Sequence, residues 1–213
     1  MNCKPILFNT EMVKAILAGH KTQTRRVAFQ NENLRPFRTR DYPNGWWFLG
    51  RVYKSFEGFL DDPQRPKCKY KKDNILWVRE TWSKDANRYL YRADYSENEH
   101  FYQDGNEIPM HWHPSIHMPK EAARIFLWVK RVGVERLQDI SVENCAAEGI
   151  WDDYKASSEK YRENLKQVAY PKAFSELWDS TIKKDDLLAY GWDANPWVWV
   201  IEFERCEKPE GWN

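Results

Sequence analysis

The chain has 213 residues, of which 42% are hydrophobic and 15% aromatic, and this composition excludes a wholly disordered protein. The net charge is +1, but residues 1–72 carry +9 and residues 73–213 carry −8, and a basic first third favours a nucleic-acid partner. No apolar run approaches the ~18 residues of a membrane span, and no signal-peptide core is visible. We therefore expect a cytoplasmic protein without membrane contact. The four cysteines form no CxxC pair and are expected to be free thiols.

The first predicted elements are a strand at 5–8 and a helix that Asn9 or Thr10 caps. Apolar residues recur at helical spacing from Met12 to Leu17, and Gly19 suits the left-handed position at which such a helix ends.

The remaining elements are mostly strands, rich in aromatic and β-branched residues. The predicted strands are 46–49, 52–53, 75–82, 89–93, 123–134 with a bend near Gly133, and 197–203. The predicted helices are one from the cap Ser141 to Gly149, one at about 156–168, and one at 171–182 with Pro171 in its first turn. Several strands with few helices predict an α+β fold, a small mixed β-barrel with flanking helices and inserted loops. We expect a single domain over residues 1–213, with insertions at about 28–72 and 96–118.

The strongest local motif is G-x-K-T-x-T-x-R, which spans Gly19 to Arg26. If the chain enters a strand at residue 23, Thr24 and Arg26 lie on one face and Lys21 lies just before them. An ammonium, a hydroxyl and a guanidinium would then converge on a site for an anion or a polarised carbonyl. The alternative interpretation is that Lys21 complements the negative end of the first helix and Thr24 is an ordinary strand residue.

Glu148 is the second candidate, because a carboxylate in the last turn of a short helix is disfavoured by roughly 0.3–1 kcal/mol against the helix dipole. A carboxylate in such a place suits general acid–base chemistry. The alternative is a solvated glutamate, for which water screens the penalty.

Arg79 and Glu80 interrupt an apolar strand and must point to opposite faces of it. One of them could orient a ligand, or the strand end could simply be solvated. Glu107, His111, His113 and His117 raise the possibility of zinc. The stretch reads as a proline-containing loop between strands, so we expect no metal and no other cofactor.

These motifs resemble the ASCH domain family, a PUA-like group of β-barrels. The resemblance rests on the motif from Gly19 to Arg26 and on segments 73–82, 114–119, 137–150 and 195–200, which together extend over nearly the whole chain. It is strongest to the longer ASCH proteins of bacteriophages and prophages, which implies a bacterial or phage-infected cell. The chain departs from the short members by its insertions and by Lys72, where a glycine commonly precedes the aspartate.

The resemblance implies an α+β PUA-like barrel and, for one branch, amidohydrolases that remove acetyl from N4-acetylcytidine. That branch's functional lysine, threonine and glutamate correspond to Lys21, Thr24 and Glu148. The sequence thus predicts a metal-independent amidohydrolase for an acylated nucleobase or nucleoside. Arg26, Arg79, Glu80 and His117 are predicted to bind the substrate. The alternatives are a non-catalytic or RNA-processing RNA-binding module and a phage assembly or interaction protein. The sequence gives no oligomeric state.

Overall fold

The computed structural model describes residues 2–29, 34–37, 40–41, 45–48, 51–62, 67–85, 88–96, 99, 101–103, 106–150 and 159–212. Its strands are β1 (Cys3–Leu7), β2 (Gln23–Phe29), β3 (Leu34–Phe37), β4 (Gly45–Phe48), β5 (Arg51–Tyr53), β6 (Ile75–Arg79), β7 (Trp82–Asp85), β8 (Arg88–Tyr91), β9 (Phe101–Gln103), β10 (Asn106–Ile108), β11 (Phe126–Arg136) and β12 (Trp197–Cys206). Its α-helices are α1 (Thr10–Leu17), α2 (Phe56–Leu60), α3 (Val142–Ala147), α4 (Glu159–Thr181) and α5 (Leu187–Tyr190). Short 3-10 turns connect several of these elements, among them Ser115–His117.

A five-stranded sheet in the order β1-β6-β11-β12-β2 forms the centre of the molecule. The β1–β6 pair is parallel, and the other neighbouring pairs are antiparallel. The smaller sheets are β3-β4-β5, β7-β8 and β9-β10.

Both faces of the sheet are covered. Ile201 and Phe203 of β12 pack in one core cluster with Val13 and Ile16 of α1. Val198, which points to the other face of the same strand, packs in a second cluster with residues of α3 and α4. A strand buried on both faces needs apolar residues at consecutive positions, which explains the run from Trp197 to Ile201.

The predicted mixed α+β architecture is confirmed, but the sheet of the described residues is not a closed barrel. Closure would require β1 to pair with β2, and these strands lie at opposite edges of the sheet. The two edges are bridged by a side chain instead, because Arg26 Nη2 donates to the Leu7 carbonyl at 2.9 Å.

The predicted strand over 75–82 is wrong in one respect, because it is divided into β6 and β7. Pairing ends at Glu80, whose backbone N–H donates to Met118 Sδ and not to a neighbouring strand. The long strand begins at Phe126, later than predicted, because Lys120–Ala122 forms a 3-10 turn. Its register shifts between Val129 and Arg131, not at Gly133.

The two predicted helices after residue 156 are one helix, α4, with Pro171 inside it. Proline removes one helical hydrogen bond. The helix continues through it because Tyr170, Phe174 and Trp178 recur every four residues and are all buried in the second core cluster. Residues 151–158, where the earlier of these helices was predicted to begin, lie outside the described part of the chain.

None of the described helices combines the length and apolar character that crossing a membrane requires.

Candidate active site

The side chains of Lys21 and Glu148, which are 127 positions apart in the sequence, form a buried ion pair. Lys21 Nζ donates to Glu148 Oε2 at 2.6 Å and to the Glu148 backbone carbonyl at 2.7 Å. Lys21 is 2% exposed and Glu148 is 3% exposed. A charge removed from water in this way is stable only when it is paired and hydrogen-bonded. Both conditions hold for Lys21 and for Glu148.

Arg25 extends the pair into a cluster of four charged groups. Its Nη1 donates to Glu148 Oε1 at 3.0 Å, while Nε and Nη2 donate to Glu135 Oε1 at 2.9 and 2.6 Å. Glu148 therefore accepts from Lys21 on one carboxylate oxygen and from Arg25 on the other. Two cations meet two carboxylates, so the charges of the cluster balance.

Local backbone features bring Lys21 and Glu148 together. Ser141 Oγ accepts from Asn144 N at 3.2 Å and so caps α3, and Glu148 is the residue that ends this helix. Lys21 and Glu148 form an isolated antiparallel bridge. The bridge needs a close approach at Gly149, which has φ +93° and where an added Cβ would lie 3.3 Å from Lys21 Cβ.

Burial lowers the pKa of Lys21 from its ordinary value of 10.5, and the nearby Arg25 and Arg26 lower it further. The Glu148 carboxylate acts in the opposite direction, through its charge and its hydrogen bond, but the desolvation is the larger effect. The Lys21 ammonium is therefore a better proton donor than a solvated lysine.

Thr24 lies on β2 with its hydroxyl hydrogen-bonded to Arg26, as the predicted shared face requires. Arg26 Nη1 donates to Thr24 Oγ1 at 2.7 Å. Thr24 is fully buried. Lys21 thus pairs with Glu148, and Thr24 is hydrogen-bonded to Arg26. The Phe8 ring contacts the cation of each pair. Its centroid is 5.7 Å from Lys21 Nζ and 5.3 Å from Arg26 Cζ.

A cavity of about 530 Å³ adjoins this cluster. Of the four residues of the charge cluster, Arg25 contributes to its wall, whereas Lys21, Glu148 and Glu135 do not. The wall also includes Phe8, Arg26, Trp178 of α4 and Ile182, which follows that helix. A space of this size is in the range of small-ligand sites, roughly 300–1,000 Å³.

The other predicted substrate-binding residues contact partners outside the charge cluster. Arg79 donates to the Ile116 carbonyl, and its guanidinium lies 5.6 Å from the Trp77 ring centroid. Both oxygens of Glu80 accept from Arg124 at 2.9 Å. His117 is exposed at the end of the 3-10 turn Ser115–His117.

Sequence reasoning missed Arg25 and Glu135, and it predicted Asn9 only as a helix cap, although Asn9 also lines the cavity. The sequence prediction considered only the face of β2 that carries Thr24 and Arg26. Arg25 lies between them and points to the other face, so it was not considered. The available signal was its position four residues after Lys21, because an even spacing in extended backbone places two side chains on the same side. Among the described residues, no group of three His, Cys, Asp or Glu side chains is placed to hold a metal ion.

No family model and no curated protein matches the chain. Among solved structures, the chain is similar to the ASCH domain from Lactobacillus crispatus JV V101, with a TM-score of 0.36 and 11% identity. The similarity covers 96% of this chain and 79% of that chain. A TM-score of this size describes a partial likeness, so we interpret the site from its own geometry.

Proposed function

We propose that the protein is a metal-independent amidohydrolase that acts on an acylated nucleobase or nucleoside such as N4-acetylcytidine. The observation that carries the proposal is the buried 2.6 Å contact between Lys21 and Glu148 beside a cavity large enough for one nucleoside. A paired amine and carboxylate can move protons within the site, and both groups belong to the motifs on which the resemblance rests.

Glu148 would take a proton from the attacking hydroxyl, either that of Thr24 or that of a water molecule. The oxygen then attacks the acetyl carbonyl carbon, and Lys21 stabilises the negative oxygen that forms. Glu148 returns the proton to the exocyclic nitrogen as the C–N bond breaks, which releases the amine. If Thr24 attacked, water hydrolyses the resulting ester and releases acetate.

The hydrogen bond that Arg26 donates to Thr24 Oγ1 favours the threonine as the nucleophile, because it stabilises the developing alkoxide. Thr24 is fully buried, so direct attack requires that ligand binding uncover its hydroxyl. A water nucleophile does not need the Thr24 hydroxyl to be uncovered, but the substrate must still reach Lys21 and Glu148, which are 2% and 3% exposed.

Arg26 lines the cavity and would bind a phosphate or carbonyl oxygen of the substrate. Arg79, Glu80 and His117 stay proposals as substrate-binding residues, with Arg79 and His117 near the cavity through the segment that contains Ser115.

The test is to incubate the protein with N4-acetylcytidine and to measure released acetate. The wild type should release it, Lys21→Ala should not, and the control Lys130→Ala should behave as the wild type. Lys130 is an exposed residue that pairs with Glu204. Absence of wild-type turnover above Lys21→Ala would refute the proposal.

A second candidate function, RNA binding without hydrolysis, is favoured by a basic patch that we define as Lys4, Lys67, Lys69, Lys71 and Lys72. The last four are exposed, and the structure pairs none of the five with a carboxylate of a described residue. The patch lies along the edge strand β1, where Lys4 donates to the Lys69 carbonyl and Tyr70 Oη donates to the Pro5 carbonyl at 3.0 Å. A phosphodiester backbone fits such a surface.

This candidate predicts that RNA affinity falls steeply as salt is added, and that replacing Lys69, Lys71 and Lys72 by serine flattens the dependence. An affinity that is insensitive to salt would exclude it.

A further inference from the structure

Most polar side chains that line the cavity already have hydrogen-bond partners. Arg26 donates to Thr24 and to backbone carbonyls. Ser180 and Thr181 donate their hydroxyl hydrogens to carbonyl oxygens of α4, at 2.6 and 2.7 Å.

Asn9 is different, because only one end of its amide is in use. Its Oδ1 accepts from Met12 N at 2.8 Å and so caps α1. Among the described residues, none accepts a hydrogen bond from Nδ2. Asn9 is exposed and lines the cavity, so this donor is accessible to a ligand there.

The cap also fixes which end of the amide is presented. Turning the Asn9 amide over would place Nδ2 against Met12 N, a donor against a donor, and the cap would be lost. The cap therefore fixes Nδ2 as the end of the amide that has no partner among the described residues, while Oδ1 already accepts from Met12 N. The side chain is also ordered before a ligand arrives, which reduces the entropic cost of the contact.

We propose that Asn9 Nδ2 donates to ring nitrogen N3 of a cytosine-type base and thereby selects against uracil. N3 of cytosine is an acceptor, whereas N3 of uracil carries a hydrogen that would face the Asn9 donor. This inference rests on the proposed function, which places a nucleobase in the cavity.

The test measures binding of cytidine and uridine by calorimetry for the wild type, Asn9→Ser and Asn9→Asp. Both replacements retain an oxygen that can cap α1, and both lack the donor. Ser55→Asn is the matched control, since it exchanges one capping residue for another on α2, outside the cavity wall.

The wild type and Ser55→Asn should bind cytidine about tenfold more tightly than uridine, the scale of one well-placed hydrogen bond. Asn9→Ser should reduce the preference to within about twofold, and Asn9→Asp should abolish or reverse it. All melting temperatures should stay within about 2 °C, since each variant keeps its caps.

Two results overturn the inference: a preference that persists in Asn9→Ser, or a wild type that does not discriminate between cytidine and uridine. Acetate release from N4-acetylcytidine, measured on the same samples, separates the two proposals. A wild type that prefers cytidine, with that preference lost in Asn9→Ser but no acetate released by the wild type, supports the role of Asn9 and refutes the hydrolase. Acetate release by the wild type, together with an unchanged preference for cytidine in Asn9→Ser, supports the hydrolase and refutes the role of Asn9.

Discussion

At the scale of single residues, Glu148 balances the charges of both Lys21 and Arg25. Replacing it with glutamine leaves two buried cations with one carboxylate, that of Glu135, which contacts Arg25 alone. We expect Glu148→Gln to lower the free energy of unfolding by about 3 kcal/mol, because it leaves an uncompensated buried charge. Urea denaturation measures this loss.

The same measurement tests whether Lys21 and Glu148 act as a pair. Lys21→Met alone should also destabilise strongly, but the double variant Lys21→Met/Glu148→Gln should lose less than the sum of the single losses. We expect the difference to be about 1–3 kcal/mol. Strictly additive losses would show that the two side chains are not coupled.

The lowered pKa of Lys21 predicts how catalysis depends on alkaline pH. A cation whose pKa is lowered in the folded protein loses its proton at a lower pH than in a solvated peptide. If protonated Lys21 stabilises the oxyanion, kcat should fall as the pH rises through this lowered pKa, below the ordinary 10.5. Lys21→Arg should move the fall to higher pH, since arginine stays protonated. An identical alkaline limb in both proteins would contradict this role.

At the scale of elements, the contact between the end of α3 and Lys21 depends on the absence of a side chain at Gly149. A Cβ there would lie 2.9 Å from Ala15 Cβ and 3.3 Å from Lys21 Cβ. Gly19 also has a positive φ, +78°, but an added Cβ would meet nothing within 4 Å. A substitution at Gly19 therefore tests backbone strain alone, whereas a substitution at Gly149 tests backbone strain and steric contact together.

Gly19→Ala should cost about 1 kcal/mol, the strain of a left-handed conformation alone. Gly149→Ala should cost about 2–3 kcal/mol and should also reduce activity, because the added methyl group displaces Lys21. Chemical denaturation and acetate release check both effects. Equal losses at the two positions would indicate that no close approach exists at Gly149.

Local signals predicted several elements well. Asn9 and Ser141 cap helices where expected, and Gly19 and Gly149 have the positive φ that ends them. The errors arose where tertiary packing overrode local preference. Pro171 stays inside α4 because the buried face of that helix continues across it.

At the scale of the whole molecule, strand composition predicted a mixed sheet but not how its edges meet. Barrel closure depends on whether β1 pairs with β2, and no local pattern encodes that pairing. In the described residues, the side chain of Arg26 bridges these edges. The cavity was likewise invisible in the sequence, because its wall combines residues from the beginning of the chain with the end of α4.

Local features and the resemblance each singled out Lys21 and Glu148, but no spacing between these residues predicts their contact. Their separation of 127 positions carries no geometric information until α3 and β2 are placed together. The involvement of Arg25 and Glu135 became clear only from the structure.

The most direct test of the account compares acetate release from N4-acetylcytidine by the wild type, Glu148→Gln and Asp62→Asn. Asp62 is a carboxylate that pairs with Arg51, and both residues are distant in the sequence from Lys21 and Glu148. The Asp62→Asn variant therefore controls for general destabilisation. The account predicts that the wild type and Asp62→Asn release acetate at similar rates, while Glu148→Gln is slowed at least about 100-fold. Equal rates for the wild type and Glu148→Gln, with both proteins folded, would contradict it.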